Sequence, residues 1–128
     1  MNQEKVLLVC DDKSMNRKLI VAILTGTRFK VIEAANGLEC LQTMDSLGET
    51  VDIILLDISM KDMNGMDVCK AVRDRAGHTG RRHIPIVAYT ANAMKGERAR
   101  FIDAGFDEIL IKPIVEDDLL QMLERLVE

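Results

Sequence analysis

Three carboxylates, one hydroxyl and one ammonium group each stand at the carboxyl end of a short apolar run. Asp11 and Asp12 follow Val6–Cys10, Asp57 closes the run that begins at Val51, Thr90 follows Ile84–Tyr89, and Lys112 follows Ile109–Ile111. If these runs are parallel strands, their ends converge, and open α/β sheets bind ligands outside the carboxyl ends of their strands. Three carboxylates at close quarters repel one another and do not all stay ionised unless a cation joins them. The donors are oxygens only, with no His or Cys, so a hard cation is expected. Mg²⁺ fits, because it takes one or two protein carboxylates together with waters and phosphate oxygens, and Mn²⁺ is expected to substitute. A carboxylate can also act as a nucleophile and form an acyl phosphate. Asp57, central and flanked by the acidic pair, is the best placed. Phosphoryl transfer is catalysed mostly by positioning and charge neutralisation; Lys112 would offset charge opposite the cation, and Thr90 would hydrogen-bond a phosphoryl oxygen. The plainer role for Asp11 and Asp12 is to cap the next helix, which Asp12 suits, but two acids plus Asp57 exceed what capping requires.

The elements that must position these groups alternate along the whole chain. Strands are expected at Val6–Cys10, Lys30–Ala34, Ile53–Asp57, Ile84–Tyr89 and Glu108–Ile111. Ser14–Thr25 carries Met15, Leu19, Ile20, Ile23 and Leu24 at helical spacing, with Gly26 just past its end. Asn36 and Glu39 form a box-like start for the next helix, which Gly48 follows. A third helix is capped by Asn64, has Asp67 in its first turn and runs to about Ala76; Met94–Asp103 and Val115–Val127 are the last two. The pattern is (βα)₅ without linker or repeat. It implies an α/β, three-layer, doubly wound parallel sheet in strand order 2-1-3-4-5, the flavodoxin-like arrangement, which seats Asp11, Asp12 and Asp57 together at the switch point. Residues 1–128 are read as a single domain, within the usual size range. The Lys112–Pro113 step keeps Lys112 extended, and its peptide bond is open to either isomer.

With 48% hydrophobic residues but only three Phe, one Tyr and no Trp, the core is aliphatic, as suits strands buried on both faces. A net charge of −4 with mixed signs argues against direct nucleic-acid binding. The local basic run Arg73–His83 is expected to be solvated loop, with no aromatics to stack bases. Cys10, Cys40 and Cys69 lack metal-ligand spacing and are expected as buried packing residues in a reducing, cytoplasmic setting. No stretch is long enough to insert into a membrane.

Over its whole length the chain resembles the receiver domain of two-component response regulators, the CheY-like superfamily. The matching segments are VLLVCDD (Val6–Asp12), LLDISMKDMNG (Leu55–Gly65), PIVAYTANAM (Pro85–Met94), DAGFDE (Asp103–Glu108) and IKP (Ile111–Pro113). Asn16–Arg17, TANAMKG and the GRRHIP loop are similar especially to receivers of hybrid sensor kinases and to single-domain regulators. The resemblance implies that Asp57 accepts a phosphoryl group from a histidine of a sensor kinase or phosphotransfer protein. It further implies a Mg²⁺ site of Asp11, Asp12, Asp57 and the main-chain carbonyl of Ser59, with Thr90 and Lys112 binding the phosphoryl group. Thr90 would then be drawn in, shifting the surface of the last two helices and fifth strand. On this reading the chain is a phosphoacceptor rather than an enzyme, and acts by docking on an unidentified downstream protein, as a monomer or a phosphorylation-dependent dimer. It either stands alone or is part of a hybrid kinase.

Several positions depart from the family pattern. Lys61 replaces a usual Pro, which is expected to loosen its loop or add positive charge. Ile109 replaces the usual aromatic, leaving Tyr89 either to substitute for it or simply to pack. Val115 replaces a polar helix cap, so Asp117 and Asp118 are left to complement the dipole. Ser59 and Asn92 occupy positions that tune hydrolysis; both are uncharged, and a phosphorylated state lasting minutes or more is expected. A flavodoxin would need a Ser/Thr/Gly-rich phosphate loop where CDDKSM stands, and a haloacid-type phosphatase would need a second acid where Ser59 stands. The stronger rival is a receiver-like adaptor that binds partners without phosphorylation.

Overall fold

A computed structural model describes residues 3–79, 83–91 and 96–127, with backbone alone for 76–79. The elements run β1 (Lys5–Cys10), α1 (Ser14–Leu24), β2 (Phe29–Ala34), α2 (Gly37–Leu47), β3 (Ile53–Asp57), α3 (Gly65–Thr79), β4 (Ile86–Thr90), α4 (Glu97–Ala104), β5 (Glu108–Ile111) and α5 (Glu116–Leu126). The strands form one parallel sheet in the expected order, β2-β1-β3-β4-β5. Successive side chains of a strand face opposite sides, and the core divides accordingly. Leu8, Cys10, Ile54, Leu56, Ile86 and Ala88 pack against α2, α3 and α4. Leu7, Val9, Ile53, Leu55, Val87 and Tyr89 pack against α1 and α5.

Local signals hold at several ends. Asn36 caps α2 by accepting from the Glu39 N–H at 2.8 Å, while Glu39 Oε1 accepts from Ala35 N–H at 3.2 Å. Gly26 and Gly105 take the left-handed backbone past α1 and α4, whereas Gly48 is right-handed, so a glycine was not required there for its φ. Val115 gives α5 no side-chain cap, and Glu116, Asp117 and Asp118 lie in its first turn. The expected fourth strand loses Ile84 and Pro85 and gains Thr90; Pro85 contributes its carbonyl to Ile54 N–H at 2.9 Å from outside the strand. The expected start of the fourth helix at Met94 lies outside the described residues; its described part is Glu97–Ala104. Cys10, Cys40 and Cys69 are free and buried. Cys40 beside it, together with burial, holds the Cys10 thiol well above its usual range, and burial pushes Cys69 to about 11, so neither is poised to react.

The reading of Arg73–His83 as solvated loop is corrected in part. Arg73 and Arg75 lie on α3; Arg81 and Arg82 lie outside the described residues. Arg73 donates through Nε and Nη2 to Gly105 O at 3.0 and 2.9 Å, and through Nη1 to Ile84 O at 2.6 Å. Its Nη2 also lies 2.7 Å from Asp107 Oδ2, which accepts from Ile86 N–H at 2.8 Å. The guanidinium fork thus joins α3 to the segments leading into β4 and β5 by supplying donors to their Ile84 and Gly105 carbonyls. Arg73→Ala is expected to cost about 2–4 kcal/mol in urea unfolding, since it leaves Asp107 and two carbonyls short of a charged donor. A loss within about 0.5 kcal/mol, ordinary for a surface position, would contradict this role.

No helix among the described residues is long and apolar enough to cross a membrane.

Candidate functional site

The sheet order sets β1 beside β3 and β3 beside β4, so the acidic residues meet where those strands end. Asp57 is the last residue of β3, and Thr90 the last of β4, opposite Ile111 in register. Asp11, Asp57 and Thr90 are the buried polar side chains among the described residues, at 0%, 2% and 7% exposure. Asp11 is held from several sides. Its Oδ1 accepts from Lys13 N–H at 2.8 Å, its Oδ2 from the Asn16 amide at 2.9 Å, and its carbonyl from Arg17 Nη1 at 2.6 Å.

Asp12 is not the cap of α1, which has no side-chain cap. The Asp11 carboxylate takes the Lys13 N–H, and Asp12 turns across the cleft, where its Oδ2 accepts from the Lys61 N–H at 3.1 Å. Its Oδ1 is buried with no hydrogen-bond partner. Lys61 enters the site through its main chain: its N–H, which a proline would lack, binds an acidic site residue.

On the other side of Asp57, the Lys112 ammonium lies 3.1 Å from Oδ1, and Ser59 N–H donates to the same oxygen at 3.3 Å. The ammonium also sits 4.5 Å from the centroid of the Tyr89 ring. Tyr89 is thus a core residue that also contacts the site lysine. Lys112 N–H donates to the Thr90 carbonyl at 2.8 Å, joining the ends of β4 and β5, and the Lys112–Pro113 bond is cis. Burial pushes the Asp57 carboxyl above the usual carboxylate range, and the Asp11 charge adds to this, while Lys112 and Ser59 oppose it. Burial, with Asp11 and Asp57 nearby, pushes the Tyr89 phenol up to about 12.

One oxygen from each of Asp11, Asp12 and Asp57 lies within 4.8 Å of the others. The donors are all oxygen, and the buried Asp12 Oδ1 is without a partner. Those features fit a hard divalent cation. Ser59 is exposed at the edge of the cleft; Asn92 lies outside the described residues. Ile109 is half-buried and packs against the α2–α3–α4 core layer.

Sequence reasoning missed several supporting groups. Asn16 and Arg17 entered only through the family pattern, although a position one turn into α1 naturally faces back to the end of β1. In the sequence Gly65 stands out only as part of a motif. A Cβ there would press on the Asp57 carbonyl oxygen and lie 2.8 Å from Ile58 Cα.

Comparison with known proteins gives a consistent result. The family model described as the response regulator receiver domain matches residues 7–124. The hybrid signal transduction histidine kinase I of Dictyostelium discoideum is 38% identical over 111 residues, which cover 84% of this chain and 6% of that protein. The chain thus spans a small part of that relative. The polar-differentiation response regulator DivK of Brucella anthropi is 33% identical over 110 residues, covering 86% of this chain and 85% of that protein. Among solved structures, the receiver domain of the sensor histidine kinase PA1611 from Pseudomonas aeruginosa superimposes with a TM-score of 0.83 at 26% identity, covering 97% of this chain and 98% of that one. That structure has a magnesium ion coordinated in its active-site cleft.

Proposed function

Because the chain belongs to the response regulator receiver domain family of two-component signalling, we propose that it is a phosphoacceptor whose Asp57 takes a phosphoryl group from a histidine of a sensor kinase or phosphotransfer protein. The observation that carries this reading is the asymmetry around Asp57. A buried carboxylate has an ammonium 3.1 Å away on one side and two further carboxylates on the other, one with a buried oxygen that has no partner.

Asp11, Asp12 and Asp57, with the Ser59 carbonyl, would hold Mg²⁺; Mn²⁺ would suit the same oxygens. The ion would neutralise negative charge on the phosphoryl oxygens and on the carboxylates that meet them. An Asp57 oxygen attacks phosphorus as the P–N bond to the donor histidine breaks, so the protein's task is alignment and charge balance. Lys112, aimed by Asp57 and steadied over the Tyr89 ring, moves its ammonium to a phosphoryl oxygen as charge leaves the carboxylate. Thr90 donates its hydroxyl to another phosphoryl oxygen. Because Thr90 and Lys112 are joined through their main chains, a shift of one carries β5 and the start of α5 with it. The exposed Ile111 and Val115 stand at that end of the molecule, where a downstream protein would read the change. The chain serves as a signal carrier rather than as an enzyme with a separate substrate.

Incubation with acetyl phosphate and Mg²⁺ tests this. The intact mass is expected to rise by one phosphoryl group, and EDTA is expected to prevent the gain. No gain at millimolar Mg²⁺, with partner binding indifferent to acetyl phosphate, would instead mark a phosphorylation-independent adaptor. Lys112→Ala is expected to slow the gain by about 10²–10³-fold, the usual cost of removing one preorganised charge stabiliser. An unchanged rate would remove Lys112 from the mechanism.

A further inference from the structure

The loop between β3 and α3 bonds to the cation site on one side and to the start of α2 on the other. Asp12 uses Oδ2 to accept from Lys61 N–H at 3.1 Å, which leaves the buried Oδ1 as its open oxygen. A surface-loop carboxylate with neither oxygen held would rotate, and ordering it would cost cation affinity. The Lys61 side chain is exposed and plays no part in this bond; the donor is main chain.

The neighbouring residue anchors the loop. Asp62 Oδ1 accepts from Gly37 N–H at 3.0 Å and its Oδ2 from Leu38 N–H at 3.1 Å. These are first-turn donors of α2, which have no partner within the helix, and a carboxylate there also meets the positive end of the helix dipole. The fit is close: a Cβ on Gly37 would lie 2.8 Å from Met63 Cβ. Before Lys61, Met60 Sδ lies 3.5 Å from Cys10 Sγ in the buried core. The donor to Asp12 is thus fixed on both sides, by α2 and by the end of β1.

We propose that the Lys61 main-chain N–H is a positioning group for the cation site and that Asp62 holds it in place from the N-terminus of α2. This rests on the reading above that Asp11, Asp12 and Asp57 take Mg²⁺. The loop presets the orientation of Asp12, so a residue that never touches the ion tunes how tightly it is held.

Calorimetric titration with MgCl₂ alone tests the inference on four proteins: the unaltered chain, Lys61→Ala, Lys61→Pro and Asp62→Ala, each checked for fold by circular dichroism. Lys61→Ala keeps the N–H and is expected to bind Mg²⁺ within about twofold of the unaltered chain, as exposed charges contribute little. Lys61→Pro removes the N–H and is expected to bind roughly tenfold or more weakly, the worth of one hydrogen bond to a charged acceptor. Asp62→Ala is expected to weaken binding in the same direction, and it carries the test if the proline variant does not fold. Lys61→Pro binding as tightly as Lys61→Ala would overturn the positioning role. Asp62→Ala binding as tightly as the unaltered chain would overturn the anchoring role. An unaltered chain that takes up no Mg²⁺ at millimolar concentration would overturn the metal reading, and this inference with it.

Discussion

Replacing Asp57 with asparagine is expected to abolish the phosphoryl gain from acetyl phosphate while leaving the fold intact, and in EDTA to make the protein more stable. The amide is close in shape but cannot act as the nucleophile, so the chemical loss is complete. The gain in stability follows from the surroundings of the carboxylate. Asp57 is 2% exposed and shares its cleft with the Asp11 charge, and these outweigh the Lys112 ammonium, so its carboxyl titrates above the usual range. A group whose folded-state pKa is raised subtracts stability once it ionises. The advantage of asparagine is therefore present above the folded-state pKa. It disappears as pH falls below the ordinary aspartate value of about 4, where both side chains are neutral. In Mg²⁺ the order is expected to narrow or reverse, because a cation that binds only the folded state stabilises the unaltered chain by mass action. Urea unfolding with and without Mg²⁺ measures both effects. A variant less stable than the unaltered protein in EDTA would show that the Lys112 pair outweighs burial and repulsion.

Gly65→Ala is expected to damage stability and chemistry together. Gly65 N–H donates to the Ile58 carbonyl at 3.0 Å, closing the loop back onto the end of β3. An added methyl would meet the Asp57 carbonyl oxygen and the Ile58 backbone, neither of which can turn aside as a flexible side chain would. Overpacking of this kind costs about 1–3 kcal/mol and sometimes more. The strain also falls on the residue that carries the nucleophile, and a displacement of about 1 Å at a reacting group costs about 10²-fold in rate. Urea unfolding and the rate of mass gain from acetyl phosphate are the two readouts. A variant that unfolds normally and phosphorylates at the original rate would show that the loop and strand separate without cost.

The groups that do chemistry were legible because parallel strands announce their ends. Four of the apolar runs stop at a polar residue, and alternation with helices makes those strands parallel, so Asp11, Asp57, Thr90 and Lys112 fall at one edge of the sheet. Much of what holds those groups was not legible, for a physical reason. Asp12 to Lys61 N–H, Asp62 to the start of α2, and Arg73 to the carbonyls of Ile84 and Gly105 are bonds between a side chain and distant main chain. Every residue offers the same main-chain groups, so residue type carries no mark of which one will be used. Arg73 shows the cost: in a run of like charges it reads as solvated, yet its four donor contacts tie a helix to two strand entrances. Tyr89 was ambiguous for a related reason, since one ring both fills the core and faces the Lys112 ammonium.

Whether Asp57 itself receives the phosphoryl group is read by treating the acetyl phosphate-labelled protein with borohydride, which reduces an acyl phosphate to the corresponding alcohol, and locating the altered residue by tandem mass spectrometry. The alteration is expected at position 57 alone and only when Mg²⁺ was present during labelling. An alteration at Asp11 or Asp12, or a labelled protein that borohydride leaves unchanged, would contradict the account.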